Sequence, residues 1–288
     1  MADLKTKYMG LELRSPIIAG SCGLTSDVEK MVEMEKAGVG AVVLKSIFEE
    51  QINEETSGVF KAGYGMGDAY PEAEDYIKAY IRSNTIQKYV ELVRNAKSRL
   101  TIPVIASVNC FSGGEWVSFA RQLEEAGADA LELNVFILPV NEFKESAEVE
   151  NVYFEIVKSI KSQIKIPVSV KISHYFTNLS AFVDKIKAYG ANATTLFNRF
   201  YEPDININTL EMGAASVFST AAELRTTLRW TGILAGKDKK LEISASTGVH
   251  GGEAAVKLLL AGATTVQVCS VLYEKGIHVI EDINNFIG

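Results

Sequence analysis

Two lysines close runs of apolar, largely β-branched residues: Lys45 ends AVVLK and Lys171 ends VSVK. A lysine in that position has three broad uses. It can pair with a phosphate, stabilise an anion developing on a cofactor or substrate, or form a Schiff base once desolvation lowers its pKa. Ser21, Asn109, Asn134, Asn198, Ser246 and Ser270 stand at the ends of comparable runs. A lone polar strand end needs no explanation beyond contact with water. Two lysines and three asparagines at equivalent positions point instead to one ring of donors and acceptors around a pocket.

The segment SASTGVHGGEAAVKLLLAG reads as a strand, a small-residue turn and a helix N-terminus, and VQVCS is a further strand before another helix. Backbone N–H groups at Thr247, Gly248, Cys269 and Ser270 would suit a dianionic phosphate without any cationic side chain; the plainer reading is a tight turn. His174, His250 and His278 have no metal-ligand spacing, and no metal site is expected. His250 and His278 read as surface residues. His174 follows Lys171 in KISHYF and can face the pocket together with Tyr175.

What must position these residues is a repeated unit: an amphipathic stretch, a small-residue break and an apolar run. EKAGVGAVVLKS, EEAGADALELNV, KAYGANATTLFN and LLAGATTVQVCS are four copies. Glycine at the break suits the left-handed position after a helix, and the runs suit strands buried on both faces. Strands are expected near 16–21, 40–45, 102–109, 129–135, 166–172, 192–198, 241–246 and 264–269. Ile86, Tyr89, Val90 and Val93, and Trp116, Phe119, Ala120 and Leu123, form helical core stripes, and Ser26 with Glu29 reads as a capping box. Eight alternating units predict one α/β domain over 1–288, a (β/α)8 TIM barrel, with a doubly wound open sheet as the second choice. The connection after the second strand, 46–83, is a long insertion expected to cover the C-terminal face as a lid, or else to be a solvated excursion; GYGMG within it reads as a flexible turn.

The 288 residues are 47% apolar and 23% charged, enough for a full core. The formal charge of −7 argues against a nucleic-acid or anionic-lipid partner. There is no apolar run of the roughly 20 residues that span a bilayer, and no signal-peptide core at the start, so a soluble, cytoplasmic protein is expected. Cys22, Cys110 and Cys269 are far apart in sequence and lack a CxxC pair; they read as free thiols, with Cys269 a small buried residue.

In order and in strand placement, the motifs resemble those of the FMN-dependent dihydroorotate dehydrogenase family, in a divergent, dihydroorotate dehydrogenase-like branch. The resemblance runs over essentially the whole chain: SPIIAGS, VVLKS, PVIASVN, ALELNV, IPVSVKIS, LFNRFYEPDI, FSTAAELRTTLRW, SASTGVHGGEAAVKLLLAGA and VQVCSVLYEKG. It implies FMN across the barrel mouth, its phosphate on Thr247, Gly248, Cys269 and Ser270, with Ser246 ending the strand before them. Ala19, Gly20 and Ser21 would line the ring. Lys45, Ser46, Asn109 and Asn134 match polar contacts to the ring and its ligand, and Ser219 and Thr220 match the ribityl segment. Lys171 matches the lysine beside flavin N1, where a cation stabilises the reduced ring as hydride reaches N5. Asn198 matches a position near the substrate.

The chain departs from the family where the substrate proton is removed. The usual LNxSCPN is here LNVFILPVN, with Phe136 and Ile137 in place of the polar pair and only Pro139 and Asn141 echoing the loop; GDAYPEAEDY replaces an NSMGLPN-like segment. Neither Phe nor Ile takes a proton. Dihydroorotate oxidation to orotate in pyrimidine biosynthesis would therefore need another base, His174 or Tyr175. The alternatives are an FMN oxidoreductase acting on another small cyclic or unsaturated substrate, a Schiff-base lyase or aldolase using Lys45 or Lys171, and a non-catalytic flavin or phosphate scaffold. The resemblance also implies a homodimer acting on a small molecule. No iron–sulfur cluster is expected, a separate electron-transfer subunit stays open, and the lack of an apolar N-terminal extension argues against the quinone-linked, membrane-bound type.

Overall fold

Gly38, Gly127, Gly190 and Gly262 have φ of +94°, +96°, +111° and +106°. Each ends a helix at one of the four sequence breaks, in the left-handed region where only glycine is free of a Cβ penalty. The computed structural model describes residues 3–48, 71–109, 113–135, 137–199, 203–214 and 216–288.

The chain opens on an antiparallel hairpin of β1 (Thr6–Tyr8) and β2 (Leu11–Leu13), which the sequence reading did not anticipate. The alternating elements follow: β3 (Ile17–Ala19), α1 (Val28–Lys36), β4 (Ala41–Val43), β5 (Ile47–Phe48), α2 (Pro71–Arg99), β6 (Val104–Asn109), α3 (Gly113–Glu125), β7 (Ala130–Asn134) and α4 (Ser146–Lys161). Next come β8 (Val168–Ile172), α5 (Leu179–Ala188), β9 (Ala193–Leu196) and a second hairpin, β10 (Pro203–Asn206) with β11 (Glu211–Ala214). The chain finishes with α6 (Leu224–Lys237), β12 (Glu242–Ala245), α7 (Gly252–Leu260), β13 (Thr265–Val268), α8 (Ser270–Lys275) and α9 (Val279–Ile287).

Eight parallel strands, β3, β4, β6, β7, β8, β9, β12 and β13, pair in that order, and β13 returns to β3 to close the barrel. The (β/α)8 expectation holds and the open sheet does not. β5 also pairs with β6, Ile47 opposite Val108, so the second barrel strand breaks at Leu44–Ser46 and then resumes. The expected insertion over 46–83 is accordingly shorter: its first residues are strand, and α2 already begins at Pro71. The proposed lid and GYGMG lie in 49–70, outside the described residues. The Ser26–Glu29 box is also corrected. Asp27 caps α1, accepting from the N–H of Glu29 and Lys30, while Ser26 sits in a 3-10 turn and donates to the Gly23 carbonyl.

The barrel has two cores. Between strands and helices lies the larger, including Val90, Val93, Phe119, Ala120 and Leu123 from the expected stripes. Inside the barrel, Ile18, Ala41, Val43, Ile105, Ala130 and Ala193 meet Tyr8, Met9 and Leu13 of the first hairpin, which closes the N-terminal end. Two residues beyond Ile105, Ala130 and Ala193 the same inward face turns polar, because strand side chains alternate with period two. Ser107, Glu132, Thr195 and Gln267 fill that layer, all buried. A buried polar layer costs stability unless it is hydrogen-bonded, so its place directly beneath the C-terminal mouth marks the functional end.

Candidate active site at the C-terminal mouth

The mouth opens into a cavity whose empty space, counted out into open solvent, is about 680 Å³. Lys171 and Arg199 are the charged side chains among its lining residues, and no carboxylate joins them. Each is paired with a carboxylate outside the lining, Lys171 with Glu132 at 4.0 Å and Arg199 with Glu223 at 2.9 Å. Gly20, Ser21, Asn198, Ser219, Ser246, Thr247, Gly248, Cys269 and Ser270 of the expected set all line it.

Lys171 reaches the cavity from the inward face of β8, opposite Asn134 on β7 and Thr195 on β9. Beneath it lies Glu132, which is 1% exposed; its Oε2 accepts from Thr195 Oγ1 at 2.9 Å and from Gln267 Nε2 at 2.8 Å. Its Oε1 stands 4.0 Å from Lys171 Nζ. Burial and the Glu132 charge together push the Tyr8 phenol upward, so it stays protonated. Sequence reading missed Glu132, although a signal was there: in ALELN it lies two residues before Asn134, on the same strand face.

The other end of the cavity is a small-residue cradle. Thr247 and Gly248 have φ of +80° and +79°, and Thr247 Oγ1 donates to the Phe197 carbonyl at 3.1 Å. A Cβ on Gly248 would lie 2.3 Å from the backbone nitrogen of Leu224, so the turn requires glycine there. Ser219 is 6% exposed; its N–H donates to Ser270 Oγ at 2.9 Å, and its Oγ lies 3.1 Å from the same oxygen. His250, expected at the surface, is instead tucked behind this pair: Nε2 is 3.3 Å from Ser219 Oγ and Nδ1 is 3.0 Å from Glu274 Oε2. The turn after β12 folds back onto α8, a contact no local pattern encodes.

Cys22 and Cys269, distant in sequence, meet where β3 and β13 adjoin. A hydrogen bond from Cys269, with those of Thr25 and Leu24, brings the Cys22 thiol down to about 6, whereas Cys22 and burial push the Cys269 thiol up. Cys110 lies outside the described residues. Asn198 Nδ2 donates to Asn134 Oδ1, joining two of the expected strand-end asparagines. Ser21 Oγ, Ser46 Oγ and Ser107 Oγ form a chain with steps of 3.0 and 2.7 Å, and the Tyr89 hydroxyl, bonded to both backbone groups of Ser107, anchors it.

Several candidates are placed elsewhere. Lys45 is exposed, Ala19 is fully buried against the helices, and Thr220 caps a 3-10 turn with Glu223; none lines the cavity. Asn109 is buried and its Oδ1 has no hydrogen-bond partner among the described residues. His174 packs between Tyr175 and Phe197, at 4.2 and 5.6 Å, and burial keeps its imidazolium below the usual histidine range. Tyr175 lines a second cavity with Ile137, Tyr153 and Phe176, formed by the segments after β7 and β8 and by α4. Phe136 lies outside the described residues. Among the described residues no cluster suits a metal ion, and no helix is long and apolar enough to cross a membrane.

Residues 3–288 match the family model described as dihydroorotate dehydrogenase. Among curated proteins, the chain is 30% identical over 289 residues to the catalytic subunit of dihydroorotate dehydrogenase B (NAD+) of Thermoplasma acidophilum, covering 98% of this chain and 92% of that protein. It is 28% identical to the same subunit of Thermoplasma volcanium, with 96% and 89% covered. To dihydroorotate dehydrogenase A (fumarate) of Limosilactobacillus reuteri it is 27% identical, with 92% and 86% covered.

Proposed function

The chain belongs to the dihydroorotate dehydrogenase family, and from that premise we propose that it is an FMN-dependent oxidoreductase acting on a CH–CH bond of a small cyclic substrate. The observation that carries the cofactor reading is the cavity itself, with a buried-side cation at one end and a hydroxyl- and amide-lined cradle at the other. That donor set fits a phosphate monoester at Ser219, Gly248 and Ser270 and an electron-rich ring edge at Lys171.

Bound FMN would supply the hydride acceptor. Lys171 would hold positive charge beside the ring as electrons arrive, with Glu132 fixing the ammonium. Ser219, Ser270 and the turn at Thr247–Gly248 would hold the phosphate, and Gly20, facing the buried Gln267 side chain, would let the ring lie flat against the strand end. The paired Asn134 and Asn198 amides would orient the substrate.

Dihydroorotate is the substrate to test first. A second reading, another small cyclic or unsaturated substrate, is favoured by a specific absence: no Cys or Ser occurs between Asn134 and Ser146, where the family's base belongs. The family resemblance further supports a cytoplasmic homodimer. The test is the visible spectrum of the purified protein before and after anaerobic dihydroorotate. A flavin band that bleaches supports dihydroorotate oxidation, and one that persists moves the substrate elsewhere. A colourless protein that takes up no FMN overturns the proposal and promotes Schiff-base chemistry at Lys45 or Lys171, testable by borohydride trapping.

A further inference from the structure

Cys22 and Cys269 meet at the seam where the last barrel strand returns to the first. β13 lies beside β3 with Val268 opposite Ala19, and the Gly20 N–H continues that ladder onto the Val268 carbonyl at 2.8 Å. One residue beyond Val268, Cys269 Sγ lies 3.8 Å from the carbonyl oxygen of Ser21, in the peptide that leads into Cys22. The two side chains are in hydrogen-bonding contact with each other. Both are half-buried, so a small solute can reach them.

Two thiols in contact across neighbouring strands supply what a disulfide needs, one sulfur to attack and a second to resolve. The two are not equivalent. The Tyr273 hydroxyl accepts the Leu24 N–H at 3.2 Å and gives its own hydrogen to the Cys22 sulfur. With Cys22 held down to about 6 and Cys269 pushed up, Cys22 is the thiolate near neutral pH and Cys269 the protonated partner. Their place in the wall gives the pair a consequence. Ser21, Cys269 and Ser270 line the cavity, Ser21 Oγ accepts the Ser46 N–H at 2.8 Å, and Ser270 Oγ accepts the Ser219 N–H at 2.9 Å. A disulfide of about 2 Å is far shorter than a contact between thiols, so forming it draws the Ser21–Cys22 and Cys269–Ser270 segments together.

We propose that Cys22 and Cys269 are a dithiol site for a hydroperoxide, which closes them into a disulfide and reshapes the cavity wall between Ser21 and Ser270. The Cys22 thiolate attacks one peroxide oxygen: an S–O bond forms, the O–O bond breaks, and the leaving oxygen takes up a proton as water or an alcohol. Cys22 is then a sulfenic acid, and the peroxide has gained the two electrons it lost. The Cys269 sulfur next attacks the Cys22 sulfur: the S–S bond forms, the S–O bond breaks, and hydroxide departs with the Cys269 proton as water. A dithiol reductant reverses the change, as befits a pair in a reducing compartment. The dithiol chemistry stands apart from the FMN reading of the cavity; its effect on FMN rests on that reading.

The full-length protein, reduced and stripped of flavin, is treated with hydrogen peroxide near neutral pH and mapped by peptide mass spectrometry without reduction. The expectation is a Cys22–Cys269 cross-linked peptide that dithiothreitol separates. Cys269→Ala should instead stop at a Cys22 sulfenic acid trapped by dimedone, and Cys22→Ser should give neither product. FMN uptake by the oxidised protein should be about tenfold weaker than by the reduced one and recover on reduction, with no such change in Cys22→Ser. Free thiols after peroxide, a cross-link to Cys110 instead, or a Cys22–Cys269 disulfide that leaves FMN affinity unchanged would overturn the proposal. A protein that binds FMN in neither state would overturn the cofactor reading, and the peptide map alone would then decide the dithiol site.

Discussion

Lys171 Nζ stands 4.0 Å from Glu132 Oε1, at the level where the polar interior of the barrel meets the cavity. The carboxylate is held from its other oxygen by Thr195 on β9, one strand beyond β8, and by Gln267 on β13, across the barrel from β7. One anion thus ties three strands together beneath the cation that the cavity presents. A buried ion pair adds little net stability over apolar packing, but removing one partner leaves the other desolvated and alone. That asymmetry makes Glu132 testable.

Glu132→Gln keeps the hydrogen-bond shape and removes the charge. Lys171 would then face the cavity without a counter-charge, so the flavin reduction potential should move to a more positive value, measured by dye equilibration. Glu132→Leu leaves Lys171, Thr195 and Gln267 without their acceptor and should cost about 3 kcal/mol in urea unfolding. An unchanged potential in the Gln variant would mean that the carboxylate does not act on the cation.

Lys171→Ala should leave FMN bound, because the phosphate cradle lies at the other end of the cavity. Rapid-reaction reduction of the flavin by substrate should slow by about 10²- to 10³-fold, the usual loss for one preorganised donor to a developing anion. A Schiff-base mechanism predicts a different result, loss of borohydride-trappable adduct.

Gly248→Ala introduces a Cβ 2.3 Å from the Leu224 nitrogen at a residue with φ of +79°. The nearest atoms, Leu224 N and Cα and the Glu223 carbonyl carbon, are all backbone and none moves cheaply. The variant should lose about 2 kcal/mol or more of unfolding free energy, read by denaturant melts, and should retain less flavin on purification. Wild-type flavin retention would mean that the cradle is not where the phosphate sits.

The barrel was legible because its signals are local. A helix stripe, a glycine with positive φ and a β-branched run recur at Gly38, Gly127, Gly190 and Gly262, and each part has its own physical cause within a dozen residues. The strand ends that converge on the cavity followed from that frame. Glu132 was hidden because an acid in a strand reads as solvated unless closure of the barrel is taken into account. His250 was misread for a related reason: its partners Ser219 and Glu274 come from two other loops, and only the folded turn brings them within hydrogen-bond reach. The two hairpins, β1–β2 and β10–β11, carry short strands whose alternation is too brief to register.

The Cys22–Cys269 contact was likewise invisible from spacing, and it yields a pH prediction of definite sign. Cys22 is held down to about 6 chiefly by the hydrogen bond from Cys269, while Cys269 is pushed up by Cys22 and by burial. Above its pKa a thiol is a thiolate, and the thiolate is the nucleophile. Alkylation of Cys22 by iodoacetamide should therefore rise through about pH 6 and level off by neutral pH, with Cys269 unmodified, as mapped by peptide mass spectrometry. In Cys269→Ala the donor is lost and the half-buried Cys22 should titrate at higher pH, toward the ordinary thiol range of about 8.5. Because its depressed folded value favours the thiolate, Cys22 contributes stability that is fully present at the unfolded thiol pKa, above which the raised Cys269 opposes it. That contribution declines as pH falls toward 6, so the melting temperature of the wild type, but not of Cys269→Ala, should drop over that interval. A Cys22 rate that keeps rising beyond pH 8 would show that the two thiols do not share a proton in solution.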